Sequence, residues 1–168
     1  MLRLFYSTGS CALASHIALE EAGAEYEAIR MDLRAGDQHK PEFLDLNPKG
    51  RVPALVTNLG VLTENVSILA FIAQSFPDAR LAPIDPFGFG QVQAFNAYLA
   101  STVHVAHAHG PRASRWADDP AAQADYAVTL VTRKQPRNVQ QMALRVLAKN
   151  PTLAARPARS SPSSSGSV

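Results

Sequence analysis

The sequence predicts the fold class α/β plus all-α, with an α/β unit over residues 1–80 and helices after it. Residues 26–31 alternate apolar and polar side chains, which is the period of a β-strand, and residues 2–6 form a short strand-like run. Residues 65–76 and 91–109 carry apolar side chains at helical spacing instead. Strands alternating with helices indicate an α/β architecture, and the long second helical run indicates a separate helical region.

Local signals place the elements of the first unit. The first helix is predicted from Cys11 to Ala22, where Ser10 is a suitable N-cap and Gly23 a suitable stop. The other elements are a second strand, a short helical turn, a hairpin and a helix, at residues 26–31, 41–44, 52–56 with 60–62, and 63–76. The predicted order is therefore β-α-β-(α)-β-β-α.

Proline, glycine and serine clusters suggest the domain boundaries. Residues 81–90 hold several prolines and glycines, and we expect them to be an interdomain linker. A partial all-helical domain is predicted at 91–150, beginning with a long helix from Gln91 to His109. A second helix is predicted to start at residues 118–120, where two acids precede a proline. The serine-rich residues 151–168 are predicted to be a disordered tail.

Composition restricts the class of protein. The 168 residues are 46% apolar and contain one cysteine, Cys11, which excludes an internal disulfide framework and an all-cysteine zinc site. No apolar run approaches the ~20 residues of a membrane span, and the N-terminus lacks the pattern of a secretory signal. We therefore expect no membrane partner and a cytoplasmic location.

The net charge of +2 is unevenly distributed along the chain. All 14 acidic residues lie at or before Asp125, whereas 7 of the 16 basic residues lie beyond it. A basic tail can bind nucleic acid, but this one contains a single aromatic residue, Tyr126, and no recognition motif. A nucleic-acid partner is therefore not expected.

Cys11 is placed where a first strand turns into a first helix. A thiol at a helix start faces unpaired backbone N–H groups and the positive end of the helix dipole. Both favour the thiolate, which is the reactive form. Lone cysteines are, however, more often buried small side chains than reactive groups. Position alone leaves these two interpretations open.

Four segments in order resemble the glutathione transferase family, and most closely its bacterial beta class. They are Leu4-Phe5-Tyr6-x-x-Gly9-x-Cys11-x-Leu13-Ala14-Ser15-His16, Asn47-Pro48-Lys49-Gly50-Arg51-Val52-Pro53-Ala54-Leu55, Thr63-Glu64-Asn65-Val66-Ser67-Ile68 and Tyr98-Leu99-Ala100-Ser101-Thr102-Val103-His104. The resemblance covers about residues 2–124. It implies a thioredoxin-like, glutathione-binding domain at 1–80 and an incomplete transferase-type helical domain after it.

The resemblance assigns roles to the first three segments. It implies that Cys11 is the active-site cysteine and that Val52, before a candidate cis-Pro53, offers its backbone N–H and C=O to the cysteinyl part of glutathione. Glu64 would contact the ammonium of the γ-glutamyl end of glutathione. Asn65 and the nearby backbone amides would contact the carboxylate of the same end. An ordinary trans proline and a simple capping role for Glu64 are the alternatives.

The fourth segment supplies two more candidates. By resemblance, His104 projects toward Cys11 and the glutathione sulfur, and Ser101 shares its helix face. Tyr6 and His16 are expected to be structural. The candidates for binding the glycine carboxylate of glutathione are Lys40, Lys49 and Arg51, and the sequence does not distinguish among them.

The resemblance implies a glutathione transferase, with glutathione as cosubstrate, a small hydrophobic electrophile as substrate and no metal. Glutathione would attack the electrophile or exchange with Cys11 to form a mixed disulfide. A homodimer is expected from the family. Because Cys11 is the single cysteine in the 168 residues, a catalytic cycle that uses two cysteines of this sequence is excluded.

The resemblance ends after about Ala124. The Ser/Thr-x-x-Asp cap of a later helix in this family is missing, and only residues 139–147 are convincingly amphipathic. A frameshifted or otherwise unrelated tail is our hypothesis for this abrupt change.

Two other functions compete with the transferase. His104, His107 and His109, with Asp118 and Asp119 near them in sequence, could form a metal site. A non-catalytic interaction module, or a defective truncated enzyme, is the other alternative.

Overall fold

The computed structural model describes residues 1–109, 113–115 and 117–124. Residues 1–105 form one compact unit. Its elements are β1 (Leu2–Tyr6), α1 (Leu13–Ala22), β2 (Tyr26–Arg30), α2 (Pro41–Leu44), β3 (Ala54–Thr57), β4 (Gly60–Thr63), α3 (Asn65–Ser75) and α4 (Pro86–Tyr98). Short 3₁₀ turns lie at Asp37–His39 and Pro77–Ala79, and a π-helical turn at Leu99–Val103 leads into α5 (His104–His109).

The four strands form one mixed sheet in the order β2-β1-β3-β4. β1 pairs in parallel with β2, while β3 pairs antiparallel with both β1 and β4. This sheet, with helices after β1, β2 and β4, is the thioredoxin-like arrangement that the family resemblance implied. The β-α-β-(α)-β-β-α order is confirmed.

Strand alternation divides the core between the two faces of the sheet. On one face Leu4 and Leu55 pack with side chains of α1 and α3, including Leu19, Ile68 and Ile72, all 0% exposed. On the other face the buried residues are Phe5, Met31, Phe43 and Ala54, with the rings of Phe5 and Phe43 5.4 Å apart. Neighbouring strand residues therefore point to opposite faces.

The ends of α1 agree only partly with the sequence. Gly23 adopts φ 64 and ψ 31 and ends the helix, as predicted, because glycine tolerates the left-handed conformation. The helix begins at Leu13 and not at Cys11. The hydroxyl of Ser10 donates to Ser7 O and accepts from Ala12 N, so it stabilises a turn before the helix. Ser10 as N-cap is therefore a wrong prediction.

The start of α4 also differs from the expectation. The helix begins at Pro86 and not near Gln91, inside the segment that we expected to be a linker. Asp85 caps it by accepting from Gly88 N at 2.7 Å, and Pro86 occupies the first turn. An N-cap acid followed by proline is a helix-start signal that outweighs the glycines after it.

The described residues beyond Val105 belong to a second unit. Ala113–Arg115 form a 3₁₀ turn, and residues 120–124 are helical. Asp119 accepts from Ala122 N at 3.0 Å, which confirms the predicted helix start. The predicted helix at 139–147, the tail at 151–168 and the frameshift hypothesis concern residues outside the described part of the chain.

The core predicts a measurable asymmetry between two isoleucines. Ile72→Ala removes a fully buried side chain and leaves a cavity, so we expect the free energy of unfolding to fall by about 2–5 kcal/mol. Ile84 is 89% exposed, and Ile84→Ala is expected to change it by less than about 0.5 kcal/mol. Urea unfolding of both variants checks this, and equal effects would contradict the assigned core.

Candidate active site

Strand register brings three predicted site segments to one edge of the sheet. Phe5 of β1 pairs with Ala54 of β3, and Ala54 pairs with Thr63 of β4. The end of β1, the start of β3 and the end of β4 therefore lie side by side. The segment with Cys11 follows β1, the Val52–Pro53 bond precedes β3, and Glu64 follows β4.

Cys11 lies in the turn between β1 and α1 and is half-buried. Its Sγ donates to the carbonyl oxygen of Val52 at 3.8 Å, within hydrogen-bonding range for sulfur. Its own carbonyl accepts from Ala14 N at 3.2 Å. The thiol and the residue before the proline, 41 positions apart in sequence, are thus in direct contact.

The peptide bond between Val52 and Pro53 is cis, as the family resemblance implied, and not the alternative trans bond. Pro53 is buried, and β3 begins at the next residue, since proline has no N–H for the ladder. Asn47, only 2% exposed, shapes the turn before this bond by donating to Arg51 O at 2.7 Å.

Gly50 is required in the same turn. It has φ 59, and a Cβ there would lie 3.1 Å from Gln38 O. Sequence reasoning placed Asn47 within a motif but gave it no role. An asparagine in a proline- and glycine-containing turn is a signal for such a side-chain bond.

Glu64 has the backbone conformation φ 68, ψ 126, which is rare for a residue with a Cβ. Such strain is found mostly at binding sites and costs about 1–3 kcal/mol. The Glu64 side chain is largely exposed, and its Oε1 accepts from Lys49 Nζ at 2.9 Å. Lys49 also donates to Thr63 Oγ1 at 3.1 Å. An ammonium group therefore already fits against this carboxylate.

Asn65, the first residue of α3, makes two side-chain hydrogen bonds. Its Nδ2 donates to the carbonyl oxygen of Cys11 at 2.8 Å, and its Oδ1 accepts from Ser15 Oγ at 2.6 Å. Ser15 is 0% exposed. Sequence reasoning missed Ser15, although its position four residues after Cys11 was the available signal.

Ser101 and His104 lie farther along the chain. Ser101 is in the π-helical turn, and His104 is the first residue of α5. Both are exposed, and Ser101 Oγ lies 3.4 Å from Thr102 Oγ1. Within the part of the chain that the structure describes, the His104 side chain makes no hydrogen bond or ring contact, so the structure does not join it to Cys11.

Tyr6 and His16 pack as the sequence suggested. Their rings are 4.9 Å apart, and His16 also meets Tyr26 edge-on at 5.8 Å. Tyr6 and Tyr26 pack against the core beneath α1. Burial, followed by the hydrogen bond to Glu20, raises the pKa of Tyr26. This cluster supports the fold beside the site.

The three basic candidates have different surroundings. Lys40 Nζ lies 2.7 Å from Asp37 Oδ1, and Lys49 contacts Glu64. Arg51 makes no ion pair with any residue of the described ranges. The hydrogen bond from Lys40, together with the one from Asp32 N, holds the pKa of Asp37 below its usual range.

Neither a metal cluster nor a bilayer-spanning helix is found in residues 1–109, 113–115 and 117–124. No three His, Cys, Asp or Glu side chains there lie close enough together to hold a metal ion. The His109 side chain is outside what the structure describes. None of the described helices has the length and apolarity that crossing a bilayer requires.

A cavity of about 250 Å³ lies among α1, α3 and α4 in the first unit. Its apolar lining includes Ile17, Leu69 and Val92. None of the predicted site residues lines it.

The fold and the site define a thioredoxin-like domain in which a cysteine, a cis-proline and a strained helix start share one sheet edge. The family model "Glutathione S-transferase, N-terminal domain" matches residues 2–74. A solved glutathione transferase homologue from Sulfitobacter, with bound glutathione, is similar at 39% identity and a TM-score of 0.74, over 87% of this chain and 68% of that one. The beta-class glutathione S-transferase of Sphingomonas chungbukensis is 35% identical, with a TM-score of 0.65, over 88% and 69%.

The chain belongs to the glutathione transferase family. Glutathione S-transferase GstA of Escherichia coli O157:H7 is 37% identical over 106 residues, which are 61% of this chain and 53% of GstA. The chain thus spans about half the length of this curated relative.

The ion pair of Lys40 predicts a shift in the titration of Asp37. A lowered pKa of the Asp37 carboxyl means that the folded state favours the carboxylate. The stabilisation of the folded state by this ion pair is therefore complete above the usual aspartate pKa and is lost as the pH falls below about 4. Lys40→Ala is expected to raise the pKa of Asp37 toward its usual value, as measured by NMR titration of the carboxyl carbons. Lys49→Ala is the matched control and should leave it unchanged; a response to Lys49→Ala alone would refute the assignment.

Proposed function

We propose that this chain is a glutathione transferase that binds glutathione at the sheet edge formed by Cys11, Val52 and Glu64. The observation that carries this proposal is the contact of Cys11 Sγ with the Val52 carbonyl. This contact supports the proposal because, by family resemblance, the Val52 backbone holds the cysteinyl part of glutathione and Cys11 is the active-site cysteine. Membership of the family supports the same assignment.

Val52 is proposed to bind the ligand backbone through its N–H and C=O. A thiol is a weak hydrogen-bond donor, whereas the amide N–H of glutathione is a strong one. The ligand amide would therefore replace Cys11 Sγ at the Val52 carbonyl. We infer that binding frees the Cys11 sulfur to face the sulfur of glutathione.

Glu64 and Asn65 are proposed to bind the γ-glutamyl end. The Lys49 ammonium uses only Oε1 of Glu64, and Oε2 accepts no hydrogen bond from any residue the structure describes. A carboxylate accepts several hydrogen bonds, so the ligand ammonium can add to this pair. The first amides of α3, including that of Asn65, have no acceptor within the helix and suit the ligand carboxylate.

The proposed chemistry has two forms. In conjugation, the glutathione sulfur attacks a small hydrophobic electrophile, a carbon–sulfur bond forms and the leaving group departs. In exchange, the Cys11 thiolate attacks the disulfide form of glutathione, giving a mixed disulfide and one glutathione thiolate. A second glutathione thiolate then attacks the glutathionyl sulfur of the mixed disulfide, which breaks the bond to Cys11, forms glutathione disulfide and releases the Cys11 thiolate. Ser101 and His104 are proposed, by resemblance alone, to support the sulfur.

The assembly state and the location of the chain are proposed from the family and the composition. A homodimer and a cytoplasmic location follow from the family resemblance and from the single cysteine, which suits a reducing compartment.

The exposed positions of Ser101 and His104 favour one alternative, a module that binds glutathione without turning it over.

Calorimetric titration with glutathione in buffer without other thiols tests the binding site. We expect saturable binding by the wild type, and binding weakened about tenfold or more by Glu64→Gln, because a charge-assisted contact is lost. Glu27→Gln is the matched control, since Glu27 is an exposed acid on β2, the outer strand that contributes no residue to the proposed site. Absence of binding by a folded sample would overturn the proposal, as would equal effects of the two variants.

Turnover separates the enzyme from the binding module. Incubation with glutathione disulfide is expected to add one glutathionyl group to the wild type, as seen by mass spectrometry, and none to Cys11→Ala. Conjugation is followed with a chlorodinitrobenzene probe. Binding without either reaction would identify the module and refute the transferase.

A further inference from the structure

We propose that Asn65 is a positioning residue for Cys11, which it ties to the start of α3; this inference rests on the proposed function. The family resemblance suggested that residue 65 meets the ligand carboxylate. The geometry points to a different use of its side chain, because both of its polar atoms are engaged within the protein.

The two hydrogen bonds anchor different parts of the first βα unit. Nδ2 of Asn65 donates to the carbonyl oxygen of Cys11 in the turn before α1, at 2.8 Å. Oδ1 accepts from the hydroxyl of Ser15 within α1, at 2.6 Å. Because Ser15 is fully buried, water could not easily replace its hydrogen bond to Asn65 if that bond were removed. A single amide therefore links the start of α3 to both the turn and the helix that flank the thiol.

The link restrains the backbone from which the Cys11 side chain projects. Holding the carbonyl of Cys11 restrains its peptide plane and the direction of the bond from Cα to Cβ. From this backbone position Sγ lies 3.8 Å from the Val52 carbonyl. Because Glu64 directly precedes Asn65, the same helix start holds the proposed ammonium-binding acid and the proposed nucleophile in one arrangement.

Cys11 is also held within its own turn. Its carbonyl also accepts from Ala14 N, but this bond lies within the same turn and does not reach another element. Asn65 comes from 54 positions away and is the long-range anchor of that carbonyl. Removing it is therefore expected to loosen the thiol before it disturbs the core.

Alkylation of Cys11 by iodoacetamide, without glutathione, tests the proposal on the full chain. Cys11 is the only cysteine, so one adduct reports its reactivity by mass spectrometry. We expect Asn65→Ala to raise the alkylation rate about threefold to tenfold, as the loss of one hydrogen bond allows. Ser15→Ala should have a smaller effect, because the bond to Cys11 remains. The double variant should match Asn65→Ala, since Ser15 acts through Asn65.

Glutathione affinity distinguishes positioning from ligand contact. Asn65→Ala keeps the backbone N–H that is proposed to meet the ligand carboxylate, so its loss of glutathione affinity should be smaller than that of Glu64→Gln. An unchanged alkylation rate together with weakened glutathione binding would overturn the proposal and make Asn65 a ligand contact. Ile72→Val is the control for general loosening, because it trims the core next to α1 and α3 without touching the link.

Further outcomes are also decisive. Faster alkylation in Ile72→Val as well as in Asn65→Ala would show a general effect and refute the specific role. If Asn65→Ala does not fold, Asn65→Ser carries the test, because its shorter side chain cannot reach both partners; an alkylation rate equal to the wild type in that variant would overturn the proposal. If the wild type binds no glutathione, the proposed function fails while the alkylation series still reports on the link.

Discussion

The antiparallel pairing of β1 with β3 is the constraint on which the candidate site depends. This register places the residue after one strand beside the residue before the other, and β4 continues the same edge through its pairing with β3. Three turns distant in sequence must then meet. Leu4 and Leu55 on one face, with Phe5 and Ala54 on the other, maintain this register because a slip by one residue would exchange the two faces.

The site is built mainly from backbone groups that side chains hold in place. Asn47 and Gly50 shape the turn before Val52, and Asn65 holds the carbonyl of Cys11. The backbone strain at Glu64 is maintained by the hairpin on one side and by α3 on the other. A ligand with an extended peptide backbone and a charged amino-acid end, as glutathione has, matches such a set of groups. Membership of the glutathione transferase family supports the same proposal.

Signals of short range predicted most of the first unit. Gly23 ends α1 as a glycine in the left-handed region does, and the proline after Val52 marked the cis bond once the surrounding motif was recognised. Proline and glycine together misled at α4, because they resemble a linker unless Asp85 is recognised as a cap. The π-helical turn at Leu99–Val103 carries no compositional signal that separates it from an α-helix.

Contacts between residues distant in the chain could not be predicted from the sequence. The resemblance assigned Asn65 to the ligand. Its partners in the structure, Ser15 and Cys11, lie 50 and 54 positions away, and only the packing of α1 against α3 brings them within reach. The same holds for Lys49, whose contact with Glu64 depends on the β3–β4 hairpin. For Ser101 and His104 the sequence offered a role that still rests on resemblance.

Amide chemical-shift mapping of the ¹⁵N-labelled chain during titration with glutathione tests the central claim most directly. The claim is that the three turns at this sheet edge form a single binding site. It predicts that the largest saturable shifts fall on the amides of Cys11, Val52, Glu64 and Asn65, with one common dissociation constant. Shifts that bypass these residues, or that fit separate constants for the separate turns, would contradict it.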